Sequence, residues 1–140
     1  MRAILMILLI ASSSQVADRA EERAIRREAK CPEWHTEALR AGWEPQHLVR
    51  LDAILWRESR CAPTAFNAKD PNGGSAGLSQ INYFWCLPNR YSPTGWLQSQ
   101  GILTECAELF EPATNLRAAR AIHRYSEERN GNGWQPWAVG

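Results

Sequence analysis

A mainly α fold (α+β), with one central buried helix and a small β-hairpin or loop lobe beside a cleft, follows from three features of the 140-residue chain. Apolar residues recur at helical spacing in two long segments, around Leu48, Leu51 and Leu55 and around Leu116, Ala119 and Ile122. The second segment carries a further strip, Ala118, Ala121 and Tyr125, and a helix apolar on two sides is normally surrounded by others. Between the two segments, residues 63–82 are rich in Pro, Asn, Gly and Ser, which reads as loop or hairpin.

The elements follow in chain order. Arg2 precedes a short apolar run at residues 3–11, and small residues follow at Ser12, Ser13, Ser14 and Ala17. Residues 1–17 therefore read as a signal peptide, cleaved between Ser13 and Ala20, because the run is far shorter than the roughly 20 residues of a membrane span. The mature chain is expected to have no membrane span and to be secreted or held in the cell envelope. Residues 18–30 are charged and lack an apolar stripe, so they form a helical or flexible leader. The folded domain is expected over residues 31–140. Residues 32–41 form a first helix ended by Gly42, and Pro45 opens a second that runs to Arg60. Residues 83–94 are irregular and aromatic, and residues 95–110 hold a short helix around Cys106. Thr114 and Asn115 are cap candidates for the last helix, which Gly131 and Gly133 stop.

Composition narrows the function. A formal net charge of +1 lacks the basic excess of a nucleic-acid binder. Seven tryptophans suit a small core and also a sugar-binding cleft. Cys31, Cys61, Cys86 and Cys106 are an even set without a C-x-x-C pair, and the three histidines have no ligand spacing, so two disulfides are expected and no metal site. Four cysteines allow three pairings, and the sequence alone does not choose among them; Cys31 with Cys61 and Cys86 with Cys106 keeps both loops local. The loop "DPNGGSAGLSQI" is not a calcium site, since Ile81 stands where such a loop needs its last glutamate. Nothing in the chain suggests more than a monomer, and no cofactor is expected.

The chemistry centres on "ILWRES". Glu58 falls on the same helical face as Leu51 and Leu55, whereas Arg57 and Arg60 point elsewhere. A carboxyl turned toward apolar surroundings loses hydration of its charge, and one that holds its proton can deliver it to a leaving oxygen and later act as a base. Downstream, Gly77 allows a close backbone approach, and Gln80 and Asn82 alternate with Ile81 so that both amides share one face of a strand. Amides of this kind hydrogen-bond sugar hydroxyls and N-acetyl groups, or else tie the loop to its own backbone. Tyr83 and Trp85 offer flat surfaces for pyranose rings, with core packing as the alternative for Trp85. Trp134 and Trp137 read as core at a C-terminal seam.

The order of "ES" (Glu58, Ser59), "GLSQIN" beginning at Gly77, "LFEP" beginning at Leu109 and "NLRAA" beginning at Asn115 resembles the lytic transglycosylase domain of the soluble (SLT) type, in the lysozyme-like superfamily. The resemblance covers roughly residues 31–137, and "AGLSQINYFWC" also resembles the cleft strand of animal-type lysozymes. It implies a lysozyme-like domain that cleaves the β-1,4 bond between N-acetylmuramic acid and N-acetylglucosamine in peptidoglycan glycan strands. It makes Glu58 the catalytic acid/base, with Ser59, Ser75, Gly77, Gln80, Asn82, Tyr83 and Trp85 around the substrate. Two departures matter. Ser75 stands where animal-type lysozymes carry a catalytic aspartate, which leaves Asp70 as the one nearby second carboxylate, itself in a D-P-N-G turn. The late A-Y-N-x-G motif of the SLT enzymes is absent. A single carboxylate favours 1,6-anhydro products; a lysozyme-type hydrolase, an idle murein-binding module and a secreted interaction protein such as an inhibitor are the other readings.

Overall fold

The structure, a computed structural model, describes residues 2–138, with side chains from residue 13 onward. The side chains of the apolar run at 3–11 lie outside the described residues, as do Val139 and Gly140 at the end of the domain. Five α-helices and a three-stranded sheet order the described chain. Helix α1 spans Arg2–Glu28, so the charged stretch before Cys31 is helical nearly throughout. A 3₁₀ turn at Pro32–Trp34 leads into α2, His35–Arg40, and a second at Pro45–His47 into α3, Leu48–Ser59. Both turns open on proline, whose missing N–H costs nothing at a helix start. Among the described residues no helix is long and apolar enough to cross a membrane.

The β lobe is minimal. Strands β1 (Phe66–Asn67), β2 (Ser75–Ala76) and β3 (Ile81–Asn82) form an antiparallel sheet in the order β1-β2-β3, with Asn67 opposite Ser75 and Ala76 opposite Ile81. A 3₁₀ turn at Tyr83–Trp85, the short α4 (Trp96–Ser99) and a 3₁₀ segment at Cys106–Phe110 then lead to α5, Pro112–Asn130. The helix expected around Cys106 is thus 3₁₀, and α4 is an additional turn of helix.

Helix α5 is the central element: Leu116, Ala118, Ala119 and Ile122 are buried, and so are the polar Thr114, Asn115, His123 and Ser126. Its second strip is covered by aromatics, since Tyr125 meets Trp85 at 5.8 Å and Trp96 at 5.2 Å between ring centroids. The caps expected at Thr114 and Asn115 are corrected: the helix begins at Pro112, with Glu111 in the N-cap position but without a side-chain capping bond. Helix α5 therefore starts early enough to carry Asn115 inside. Gly131, at φ +72°, ends it in the left-handed conformation; Gly133 serves a different purpose, packing its Cα against the His123 ring.

The disulfides join Cys31 to Cys61 and Cys86 to Cys106, the pairing with local loops. Intact-mass measurement before and after reduction is expected to show a gain of four hydrogens; four free thiols in the native protein would refute it. Beside the first disulfide, the buried Asp52 accepts from the backbone N–H groups of Lys30 and Cys31, both at 2.8 Å, and lies 2.9 Å from His35 Nε2. This carboxylate fastens the start of the domain to α3.

Four rings close the other side. Trp43, His47, His123 and Trp134 all touch one another, with centroid separations from 4.4 Å for His123–Trp134 to 5.9 Å for His47–Trp134. Arg120 Nη1 donates to His123 Nδ1 at 3.1 Å, which leaves the ring proton on Nε2. Burial pushes the His123 pKa down from 6.5 to about 4, with the Arg120 charge and His47 adding to it. His123 is therefore neutral in the fold and charges more readily once unfolded. Its contribution to stability is complete above pH 6.5 and erodes as pH falls from 6.5 toward 4. Melting temperature is expected to drop already between about pH 6.5 and 5, above the ordinary carboxylate range, and to drop less in His123→Gln. An identical pH slope in that variant would remove His123 as the cause.

Candidate active site

Glu58 is the penultimate residue of α3 and lies on its inward side with Leu51 and Leu55, which are buried. Its side chain is 26% exposed, so the carboxylate sits at the boundary between core and surface. The helix ends sharply beyond it. Arg60 and Cys61 both take positive φ (54° and 64°), and Cys61 is held to Cys31 by the disulfide, so the end of α3 is fixed on both sides of the turn. Ser59 is buried and its Oγ donates to the Leu55 carbonyl at 3.0 Å. It stiffens the helix end from beneath and is not open to a glycan.

Arg57 does not point away from Glu58, as the helical wheel alone suggests. Its Nε and Nη2 donate to one carboxylate oxygen, Glu58 Oε1, at 3.0 and 2.7 Å. Nη2 also donates to the Trp137 carbonyl. The guanidinium is drawn back by two acceptors, one of them 80 residues away in sequence. Trp137 is itself buried, with its indole Nε1 donating to the Ser79 carbonyl at 2.9 Å. One residue of the C-terminal seam thus ties the catalytic-candidate end of α3 to the turn that follows β2.

That turn is built around Asn115. Its Oδ1 accepts from the Ser79 backbone N–H (3.0 Å) and Oγ (2.6 Å), and its Nδ2 donates to the carbonyls of Ala76 (3.0 Å) and Leu109 (2.9 Å). Gly77, at φ +80°, is pressed against the same side chain: a Cβ there would lie 2.2 Å from Asn115 Nδ2. The close approach that Gly77 makes in the fold is to the buried Asn115 side chain and the Leu109 carbonyl. Ser75 is buried as well, its Oγ accepting from Asn82 Nδ2 at 3.2 Å.

The strand expected to display Gln80 and Asn82 on one face is also corrected. Gln80 takes φ +50° and stands outside β3 in a turn. Its Nε2 donates to the Ala65 and Gly77 carbonyls, both at 3.0 Å. Asn82 Nδ2 donates to the Pro71 and Gly74 carbonyls at 2.8 and 3.2 Å, and its Oδ1 accepts from Asn72 Nδ2 and the Phe84 N–H, both at 3.0 Å. Both amides tie the lobe to itself, the alternative the sequence leaves open. Asp70 takes part in a local turn, Asn67 Nδ2 donating to its Oδ1 at 2.8 Å.

Of the aromatic candidates, Tyr83 is half-buried and meets the exposed Phe66 at 5.7 Å, forming part of the lobe's surface. Trp85 packs edge-on to Trp96 at 5.1 Å in the aromatic cover of α5. Among the described residues no cluster of His, Cys, Asp and Glu is placed to hold a metal ion. Arg57, Asp52 and Asn115 were not singled out as functional by sequence. For Asn115 the signal was present, because it continues the inward row of Ala119, Ile122 and Ser126.

A mainly α domain with a small antiparallel lobe, a half-buried glutamate at a disulfide-braced helix end and a glycine turn locked beside it define a lysozyme-like class of protein. Residues 35–139 match the family model described as a lysozyme-like domain, and the chain belongs to that family. Its members are peptidoglycan-acting glycosidases and transglycosylases. No curated protein and no solved structure matches the chain.

Proposed function

We propose that the protein is a lytic transglycosylase that cleaves the β-1,4 bond between N-acetylmuramic acid and N-acetylglucosamine with Glu58 as its single acid/base. The observation that carries this reading is the placement of Glu58: a partly exposed carboxylate on the inward face of α3, rigidly held, in a chain of the lysozyme-like family. Glu58 protonates the glycosidic oxygen as the bond to the anomeric carbon breaks, and the substrate's own acetamido oxygen attacks that carbon. The resulting carboxylate then takes the proton of the 6-hydroxyl, whose oxygen displaces the acetamido group and closes a 1,6-anhydro ring. No second carboxylate is used. Asp70, engaged by Asn67, fits a turn role better than the water-holding role an inverting hydrolase requires.

Two disulfides and a murein substrate support action outside the cytoplasm, after removal of residues 1–17. Mass spectrometry of muropeptides released from purified murein tests the reaction. Anhydro ends one water lighter than the reducing sugars are expected. Reducing ends would make the protein a lysozyme-type hydrolase, and binding without release would make it an idle murein-binding module.

A further inference from the structure

Beside Glu58, on the flank of α3 facing the C-terminal segment, lies a cavity of about 560 Å³ lined by Arg50, Ile54, Arg57, Trp134 and Trp137 among others. Arg50 and Arg57 stand seven residues apart, hence about 10 Å along the helix on one side of it. Their situations differ. Arg57 is occupied, by Glu58 and by the Trp137 carbonyl. Arg50 lies with its guanidinium 5.2 Å from the centre of the Trp134 ring, and no carboxylate pairs with it among the described residues. A guanidinium at cation–π distance from an indole still has N–H groups to offer, and these can match a planar carboxylate two bonds at a time. The rest of the wall is Ile54, Ala53, Ala138 and two indoles, which suits the apolar portion of a ligand.

We propose that this cavity binds a carboxylate-bearing substituent of the glycan, in murein the lactyl group with its attached peptide, with Arg50 as the carboxylate contact and Trp134 as the platform. The proposal rests on murein being the substrate. It gives the site a means of distinguishing the peptide-bearing glycan from a neutral polymer of N-acetylglucosamine. Because the cavity shares Arg57 with Glu58, a ligand seated there is held next to the carboxylate that reacts.

Binding is read without turnover, by NMR titration of the full chain following the Trp134 and Trp137 indole N–H signals. The probes are N-acetylmuramoyl dipeptide and the neutral N-acetylglucosamine trisaccharide. The muramoyl dipeptide is expected to shift both indole signals. Arg50→Gln should weaken that ligand about tenfold or more, the scale of a lost charge-assisted hydrogen bond, and leave the trisaccharide unchanged. Arg50→Lys should restore part of the loss. Ala53→Glu, which adds a carboxylate to the exposed wall, should repel the muramoyl dipeptide selectively and keeps the test valid if Arg50→Gln disturbs the indole stack. Equal weakening of both ligands, or no weakening of the muramoyl dipeptide, overturns the proposal. Neither result bears on whether Glu58 cleaves the bond, which the released products report separately.

Discussion

Glu58→Gln is expected to lower murein cleavage by roughly 10²–10⁴, the usual scale for loss of a general acid/base. The amide keeps the shape of the side chain and still accepts a hydrogen bond from Arg57, which lies 2.7 Å away, but it can neither deliver nor take up the proton. Folding should survive, because the side chain is partly exposed and its carboxylate supports no other described residue by a hydrogen bond. Murein binding should survive with it. Asp70→Asn is the companion variant and should cost far less, since the anhydro route calls on no second carboxylate. Product release by the two variants, compared at matched thermal stability, decides the matter. Near wild-type release by Glu58→Gln would overturn both the site and the mechanism. Equal loss in Asp70→Asn would favour a two-carboxylate hydrolase.

Asn115→Ala is expected to be the most destabilising single change in the domain, at about 3–5 kcal/mol. The side chain is fully buried and makes four hydrogen bonds to Ser79, Ala76 and Leu109. Truncation leaves those donors and acceptors in a dry interior, where each unpaired group costs about 1–3 kcal/mol. A fall in Tm of roughly 10 °C or more should follow for a domain of this size. Gly77→Ala tests the same contact from the other side, because its methyl would overlap Asn115 Nδ2 while the backbone stays at a φ that disfavours any side chain. A Tm within a degree or two of wild type in both variants would mean that the Asn115 network is not what holds the turn.

Much of the fold was legible in the sequence because local periodicity is a strong signal when a face is long. Leu51 and Leu55 in α3, and Leu116, Ala119 and Ile122 in α5, point where their spacing places them. The disulfide pairing is the one that keeps both loops local, which the sequence offered without choosing it. What escaped was set by contacts distant in sequence. Arg57 turns toward Glu58 because Trp137, 80 residues on, offers its carbonyl. Asn115 resembles a cap until Pro112 is seen to start the helix earlier, and its partners lie up to 39 residues away. The amides of Gln80 and Asn82 were expected on a strand face, but β3 is only two residues long and Gln80 precedes it in a left-handed turn. A period-two pattern has no authority over so short a strand.

The bridge made by Trp137 also orders events in time. Its carbonyl engages Arg57 beside Glu58 and its indole engages the Ser79 carbonyl, so one residue distant in sequence from both clasps the end of α3 to the turn after β2. Helix α3 closes only local contacts and can form before that clasp exists. Closing contacts across 58 and 80 residues carries a larger loop-closure entropy cost than winding a local helix. Until that clasp closes, Arg57 lacks its second acceptor and the Ser79 turn lacks its Trp137 anchor. The surroundings of Glu58 would then be set in one late step of folding and not accumulate as the domain is built.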